Sequence, residues 1–342
     1  MISYLAFVRG HYPEMGFQEF YACLEAEGIE YRLIREDVQQ IIFETEANPI
    51  PAAERCAFLH SIIQITDMGV IQEDRIKYLG DFPLPEIERN KSFAVRVRKI
   101  GIKEIEINSV ALERMLSYQV HDRYEPTNLK TNLKHPDYLF LAILQKRSFV
   151  LGLEIWSLDR KDYAQREPGE RDYFRPGAMK TDFARAIVNL SRVKSGDTFF
   201  DPFCGGAGFL LEASELGAFS IGSDLDGLAV LGAKENLLLF KNMNTSIFQG
   251  DSRFLAVKEV DAIATDPPYS IQSSTHGEKV SDLILDFLTA SRKILKPGGY
   301  LVFSSPAINQ PEKIVKETDF ELVTLIDCII HKSLTRRTLV LK

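Results

Sequence analysis

Two hydrophobic periods alternate over the first eighty residues. Ser3-Tyr4-Leu5-Ala6-Phe7-Val8 predicts a strand, Met15 to Glu27 an amphipathic helix closed by Gly28, and Glu30 to Ile34 and Gln40 to Glu44 two further strands. Pro51 to Leu59 predicts another helix, so the segment reads as a small α+β unit. Two prolines in Asp81-Phe82-Pro83-Leu84-Pro85-Glu86 disfavour helix and mark a break. Beyond it Ser92-Phe93-Ala94-Val95-Arg96-Val97-Arg98 alternates, which puts Phe93, Val95 and Val97 on one face and Ala94, Arg96 and Arg98 on the other. Val110 to Tyr118 predicts a helix, and Tyr138 to Leu144 with Ser148 to Ser157 predicts a hairpin that completes a second small α+β unit.

From Asp172 onward strands alternate with helices, the pattern of a parallel, doubly wound sheet. The predicted strands are Thr198 to Asp201, Phe219 to Asp224, Ser246 to Gln249, Val260 to Thr265, Tyr300 to Ser304, Leu322 to Ile330 and Thr338 to Leu341. Phe209 to Leu216, Leu228 to Phe240, Lys279 to Leu295 and Glu312 to Thr318 are the predicted helices, with Lys296-Pro297-Gly298-Gly299 as the stop after the third. The expected fold class is therefore α/β, a seven-stranded Rossmann-like sheet at the C-terminus preceded by α+β domains. Expected boundaries are 1–82, 83–157, a linker at 158–174 and 175–342.

Composition adds a charge gradient. The 342 residues carry a net charge of −7, but 6 basic residues face 15 acidic ones up to Ile87 and 13 face 9 from Glu88 to Arg160. Only the middle segment is basic, which suits phosphate contacts there rather than over the whole surface. Arg96, Arg98, Lys99, Lys130, Lys134 and Arg147 are the candidates in it. The four cysteines are far apart and form no metal-ligand cluster, so neither a disulfide framework nor a metal site is expected. The apolar opening stops at Arg9 and no run approaches the roughly 20 apolar residues of a membrane span, so the chain is expected in the cytoplasm.

The candidate chemistry sits at strand ends. The first strand of the sheet runs into Asp201-Pro202-Phe203-Cys204-Gly205-Gly206-Ala207-Gly208 and then a helix, at the carboxyl edge where open sheets bind ligands. Neither a G-x-G-x-x-G dinucleotide fingerprint nor a P-loop G-K-[ST] is present. A carboxylate at Asp201 can pair with an ammonium group, one at Asp224 can accept from ribose hydroxyls, and one at Asp251 from an adenine amino group. Three carboxylates at three consecutive strand ends thus match the parts of S-adenosylmethionine. Asp226 competes with Asp224 for the ribose, and helix capping or turn formation is the alternative use of each of these aspartates.

After the fourth strand comes Asp266-Pro267-Pro268-Tyr269, whose two prolines hold the backbone rigid with its carbonyls free. An exocyclic amino group on a base is a poor nucleophile because its lone pair is delocalised into the ring. A carboxylate and a carbonyl accepting its two protons, here Asp266 and the Pro267 carbonyl, draw the nitrogen toward sp³ character and aim its lone pair. Tyr269 offers a ring for the base to stack on, and a base within a duplex reaches such a pocket only when flipped out.

The glycine loop and Asp266-Pro267-Pro268-Tyr269 resemble motifs I and IV of class I amino-methyltransferases. Arg171-Asp172-Tyr173-Phe174-Arg175-Pro176-Gly177-Ala178-Met179-Lys180, leading into Ala184 to Leu190, looks like motif X of that family, which closes over the methionine end of the cofactor. The two N-terminal units look like the ferredoxin-like and THUMP domains of RNA-modifying enzymes. End to end, the chain is similar to the archaeal tRNA guanine-10 N2-methyltransferase family, homologues of a eukaryotic two-subunit tRNA methyltransferase. The resemblance implies cofactor contacts from Pro176, Gly177, Ala178, Met179, Asp201, Phe203, Gly205, Gly206, Gly208, Asp224, Asp251 and Asp266, and catalysis by Asp266, Pro267, Pro268 and Tyr269. It also implies tRNA as a partner and, for some members, a small zinc-binding activator protein. Ser270 and Ala207 depart from the family's usual glycine after motif IV and its Thr-Gly or Gly-Thr-Gly in motif I. Guanine-6 of tRNA, an adenine N6 amine and a non-catalytic RNA-binding subunit are the competing readings.

Overall fold

The computed structural model describes residues 1–72, 75–80, 82–101, 107–175, 177–241, 244–268 and 280–342. Residue contacts divide the chain into two compact units, one of Met1–Pro13, Ile29–Glu54 and Leu59–Leu158, the other of Glu14–Gly28, Arg55–Phe58 and Asp159–Lys342. No helix among the described residues is long and apolar enough to cross a membrane.

The first unit is built on β1 (Ile2–Val8), β2 (Arg32–Asp37), β3 (Gln40–Thr45), β4 (Leu59–Gln72), β5 (Arg75–Leu79), β6 (Ser92–Ile100), β7 (Lys130–Thr131), β8 (Tyr138–Gln145) and β9 (Ser148–Ser157). They form one sheet in the order β2-β3-β1-β4-β9-β8-β6-β7, with β5 paired to β4, so hydrogen bonding runs unbroken through both N-terminal segments. The expected hairpin is present: Gln145 faces Ser148 across a two-residue turn whose Lys146 takes φ 54°. Phe93 and Val95 of β6 are buried against Leu112, Leu116 and Val120, three positions at i, i+4 and i+8 on one helix (Ser109–Arg123), with Val97 packed beside them. Asn108 caps that helix through its side-chain carbonyl. The predicted helix over Pro51 to Leu59 is shorter, Ile50–Arg55, and Leu59 instead opens the 14-residue β4. Two bulges and burial on both faces interrupt the alternation of β4, which is why its sequence carries no clean period of two.

Two N-terminal helices contribute to the second unit: α1 (Pro13–Ala26) and the end of α2 (Ile50–Arg55). The helix Ser109–Arg123 is α3, and α4 (Lys161–Ala164) and α5 (Thr181–Leu190) follow. Glu19 of α1 is fully buried and accepts from the backbone N–H groups of Ala57 and Phe58 and from the Asn189 side chain, each at 2.8 Å. Asn189 also donates to the Arg55 carbonyl. Residues 158–174, expected as a linker, contribute Tyr163, Arg166 and Arg171 to this unit's interior hydrogen bonding.

Its sheet consists of β10 (Thr198–Asp201), β11 (Phe219–Asp224), β12 (Thr245–Gln249), β13 (Val260–Thr265), β14 (Leu295–Pro306), β15 (Leu322–His331) and β16 (Leu334–Leu341). The order is β12-β11-β10-β13-β14-β16-β15, parallel except for β16, which runs antiparallel to β14 and β15. The helices are α6 (Gly208–Glu215), α7 (Gly227–Leu239), α8 (Val280–Arg292) and α9 (Pro311–Val315). All seven predicted strands are present. Lys296-Pro297-Gly298-Gly299 does not stop a helix, however. Helix α8 ends at Arg292, and these four residues bulge out within β14 between Leu295, opposite Val260, and Tyr300, opposite Ala262. Lys296 is held there by Asp261 at 2.7 Å.

Candidate functional site

The parallel order places β10 between β11 and β13, so Asp201, Asp224 and Asp266 emerge side by side at one carboxyl edge. Asp201 is fully buried. Its Oδ1 accepts from the Thr265 hydroxyl at 2.6 Å and from the Phe203 N–H at 3.1 Å, while Oδ2 has no hydrogen-bond partner among the described residues. Burial pushes its carboxyl up to about 7, and the nearby charges of Asp224 and Asp266 add to the rise. An oxygen that is buried, unpartnered and negative when ionised is a site for a cationic donor, and an ammonium group fits it.

This shift predicts a pH dependence. The folded protein retains the Asp201 proton to higher pH than the unfolded chain, so more protons are bound in the native state between about pH 4 and pH 7. Stability without ligand is expected to fall as pH rises through that window, and Asp201→Asn to remove that part of the slope. Denaturant unfolding at several pH values checks it, and an unchanged slope in the variant would refute it.

Asp224 organises the glycine loop. Its Oδ2 accepts from the Gly205 N–H at 2.9 Å and its Oδ1 from the Asp226 N–H at 2.9 Å. Gly205 takes φ 48°, which glycine allows, but the next left-handed residue is Ala207 at φ 66°, immediately before α6. Gly208 lies close under the Arg171 guanidinium: a Cβ there would come within 3.0 Å of it, so the arginine would have to shift by a few tenths of an ångström. Phe203 is half-buried and packs edge-on against Phe287. Cys204 is buried and its thiol pushed well up by burial, so it is no nucleophile.

Asp226, the competitor for the ribose, is the N-cap of α7 and an ion-pair partner of Arg175. Asp251 is held in a fork by Arg253, whose side chain and backbone N–H both donate to it. That engages most of its lone pairs and keeps the carboxyl below its usual range. Asp266 and Pro268 are half-buried and Pro267 is buried. In motif X, Gly177 takes φ 89°, Ala178 is exposed and donates to the Arg175 carbonyl, and Met179 is half-buried. Pro176 and Tyr269 lie outside the described residues. No group of three side chains suited to hold a metal occurs among the described residues.

Two contributors were not read from the sequence. Thr265 precedes Asp266 and supplies the hydroxyl that fixes Asp201. Asn236 in α7 bonds both motif X and the glycine loop, through Tyr173 and Gly206. Each is a polar residue at the end or in the middle of an apolar element, a signal that does not stand out without the contacts.

Residues 168–336 match the family model described as RMKL-like, methyltransferase domain. The tRNA (guanine(10)-N2)-dimethyltransferase of Methanothermobacter thermautotrophicus is 33% identical, with 95% of each chain covered. That of Methanocaldococcus jannaschii is 32% identical over 100% of this chain and 99% of its own. In fold, the chain is similar to TrmN from Thermus thermophilus at a TM-score of 0.54 and 20% identity, covering 99% of both chains. The end-to-end similarity to the first two shows that the chain belongs to the archaeal tRNA (guanine(10)-N2)-dimethyltransferase family.

Proposed function

We propose that this chain transfers methyl groups from S-adenosylmethionine to the N2 amine of a guanosine in tRNA, at position 10. The observation that carries the chemistry is the buried Asp201, with its unpartnered Oδ2, beside Asp266 on the adjacent strand end. In this reading Asp201 receives the ammonium of the cofactor, Asp224 the ribose, and Asp251 the adenine end, sharing its carboxylate with Arg253. Gly205, Gly206, Gly208 and Phe203 line the loop, and Pro176 to Met179 cover the methionine end. The bound cofactor supplies an electrophilic methyl group on a sulfonium. Asp266 and the Pro267 carbonyl accept the two N–H protons of the guanine amine, and Asp266 takes the proton that leaves. Tyr269 stacks on the base.

The target nucleotide rests on the names of the relatives, and the basic segment from Glu88 to Arg160 supports phosphate contacts by the N-terminal unit. A cytoplasmic location accompanies this reading. So does a small zinc-binding activator, as the family resemblance implies for some members.

The test is methyl transfer from labelled cofactor to unmodified tRNA, with and without an activator, followed by nucleoside analysis and mapping. N2-methylated guanosine at position 10 is the expected product. Methylated adenine, or modification at guanine-6, would overturn the assignment.

A further inference from the structure

We infer that Asn236 is a positioning residue that locks motif X onto the glycine loop and so shapes the place where the amino-acid end of the cofactor is held. This inference rests on the cofactor assignment made above. Asn236 is completely buried. Its Oδ1 accepts from the Tyr173 N–H at 3.0 Å, and its Nδ2 donates to the Tyr173 carbonyl at 2.7 Å and to the Gly206 carbonyl at 2.9 Å. One side-chain amide therefore reads both backbone groups of a motif X residue, as a neighbouring strand would, and uses its remaining proton on the glycine loop.

One turn earlier on the same face of α7, Gly232 makes room for the Tyr173 ring: a Cβ at 232 would fall 2.0 Å from it. Gly206 is packed less tightly but still closely, since its Cβ would meet the Tyr173 carbonyl at 3.3 Å and Asn236 Nδ2 at 3.5 Å. A second route closes the circuit. The Tyr173 hydroxyl accepts from Arg175 Nε at 2.7 Å, Arg175 pairs with Asp226, the Asp226 N–H donates to Asp224, and Asp224 holds Gly205. Motif X is thus tied to both ends of the Gly205-Gly206 dipeptide. The shorter tie is the buried one. Loss of the exposed Arg175 link leaves the loop in register, whereas loss of Asn236 releases the Gly206 carbonyl and both backbone groups of Tyr173.

The position of Asn236 predicts a selective defect. S-Adenosylhomocysteine carries the amino-acid end of the cofactor, and 5′-methylthioadenosine is the same nucleoside without it. Asn236→Ala is expected to raise the Kd of S-adenosylhomocysteine by more than about tenfold in calorimetric titration, and to leave that of 5′-methylthioadenosine within about twofold. Gly232→Ala should do the same by displacing the Tyr173 ring, in a helix that alanine favours over glycine, so the test survives if Asn236→Ala fails to fold. Equal losses for both ligands, or none for S-adenosylhomocysteine, overturn the inference. Asp201→Asn separates the two ideas. If it discriminates between the ligands and the α7 variants do not, the cofactor assignment stands and the role of Asn236 falls. If none of the three discriminates, the cofactor assignment falls as well.

Discussion

Asp266→Ala is expected to lower single-turnover methyl transfer by about 10³-fold while cofactor affinity changes little. Asp266 follows β13 directly, and its half-buried carboxylate belongs to a cluster in which its charge helps to raise the Asp201 carboxyl. In the proposed mechanism, removing it withdraws the acceptor that localises the amine lone pair and takes its proton, and the rigid Pro267-Pro268 backbone cannot swing another group into that place. In the same proposal the cofactor is held by Asp201, which keeps its Thr265 hydroxyl and its Phe203 N–H. Near neutral pH the affinity should even rise slightly, because loss of the neighbouring charge eases ionisation of Asp201. Asp266→Asn should also lose most of the rate, since its amide oxygen can accept one N–H but cannot take the proton that leaves. Retention of more than about a tenth of the wild-type rate in either variant would remove Asp266 from the mechanism.

Glu212→Ala is expected to destabilise the second unit by about 3–5 kcal/mol. Glu212 in α6 is completely buried and accepts from Arg166 Nε at 2.7 Å and Arg185 Nε at 2.8 Å. Burial alone would raise its carboxyl, but the two guanidinium groups hold it below its usual value. Truncation leaves two arginines, both nearly buried, with the half-exposed Glu215, 3.9 Å from Arg166, as a remaining ion-pair partner. The damage should reach the glycine loop, because Arg171 donates twice to the Arg166 carbonyl and its guanidinium fills the space over Gly208. Glu212→Gln keeps one acceptor and should cost less. Thermal unfolding followed by circular dichroism reads the difference, and a loss under about 1 kcal/mol would mean that the cluster contributes no net stability.

The parts of this molecule that were legible in the sequence are those whose signal is local. A strand, a glycine turn and an aspartate at the strand end occupy a few consecutive residues, so Asp201, Asp224 and Asp266 fell on the edge where the structure has them. The hairpin at Gln145 to Ser148 and the apolar face of β6 were readable for the same reason. Strand β4 was not, because a strand buried on both faces and bulged twice loses the alternation that reveals a strand. Lys296-Pro297-Gly298-Gly299 looks like a helix terminus, and only pairing of Leu295 with Val260 and of Tyr300 with Ala262 shows it as an excursion from β14. Asn236 carried one faint mark, an asparagine in mid-helix where the residue is disfavoured, and its three partners lie 30 and 63 residues away.

Helix α1 raises the same issue of distance in time. Its Glu19 bonds Asn189 and its Glu25 bonds Tyr300, 170 and 275 residues later in the sequence. At about 5–20 residues per second on the ribosome, the Asn189 partner follows Glu19 by roughly 10–30 s. For that interval the fully buried Glu19 lacks the Asn189 amide from which it accepts in the finished protein. The polar anchorage of α1 is therefore completed late, and its Glu25–Tyr300 bond forms only after β10 to β13 have been made.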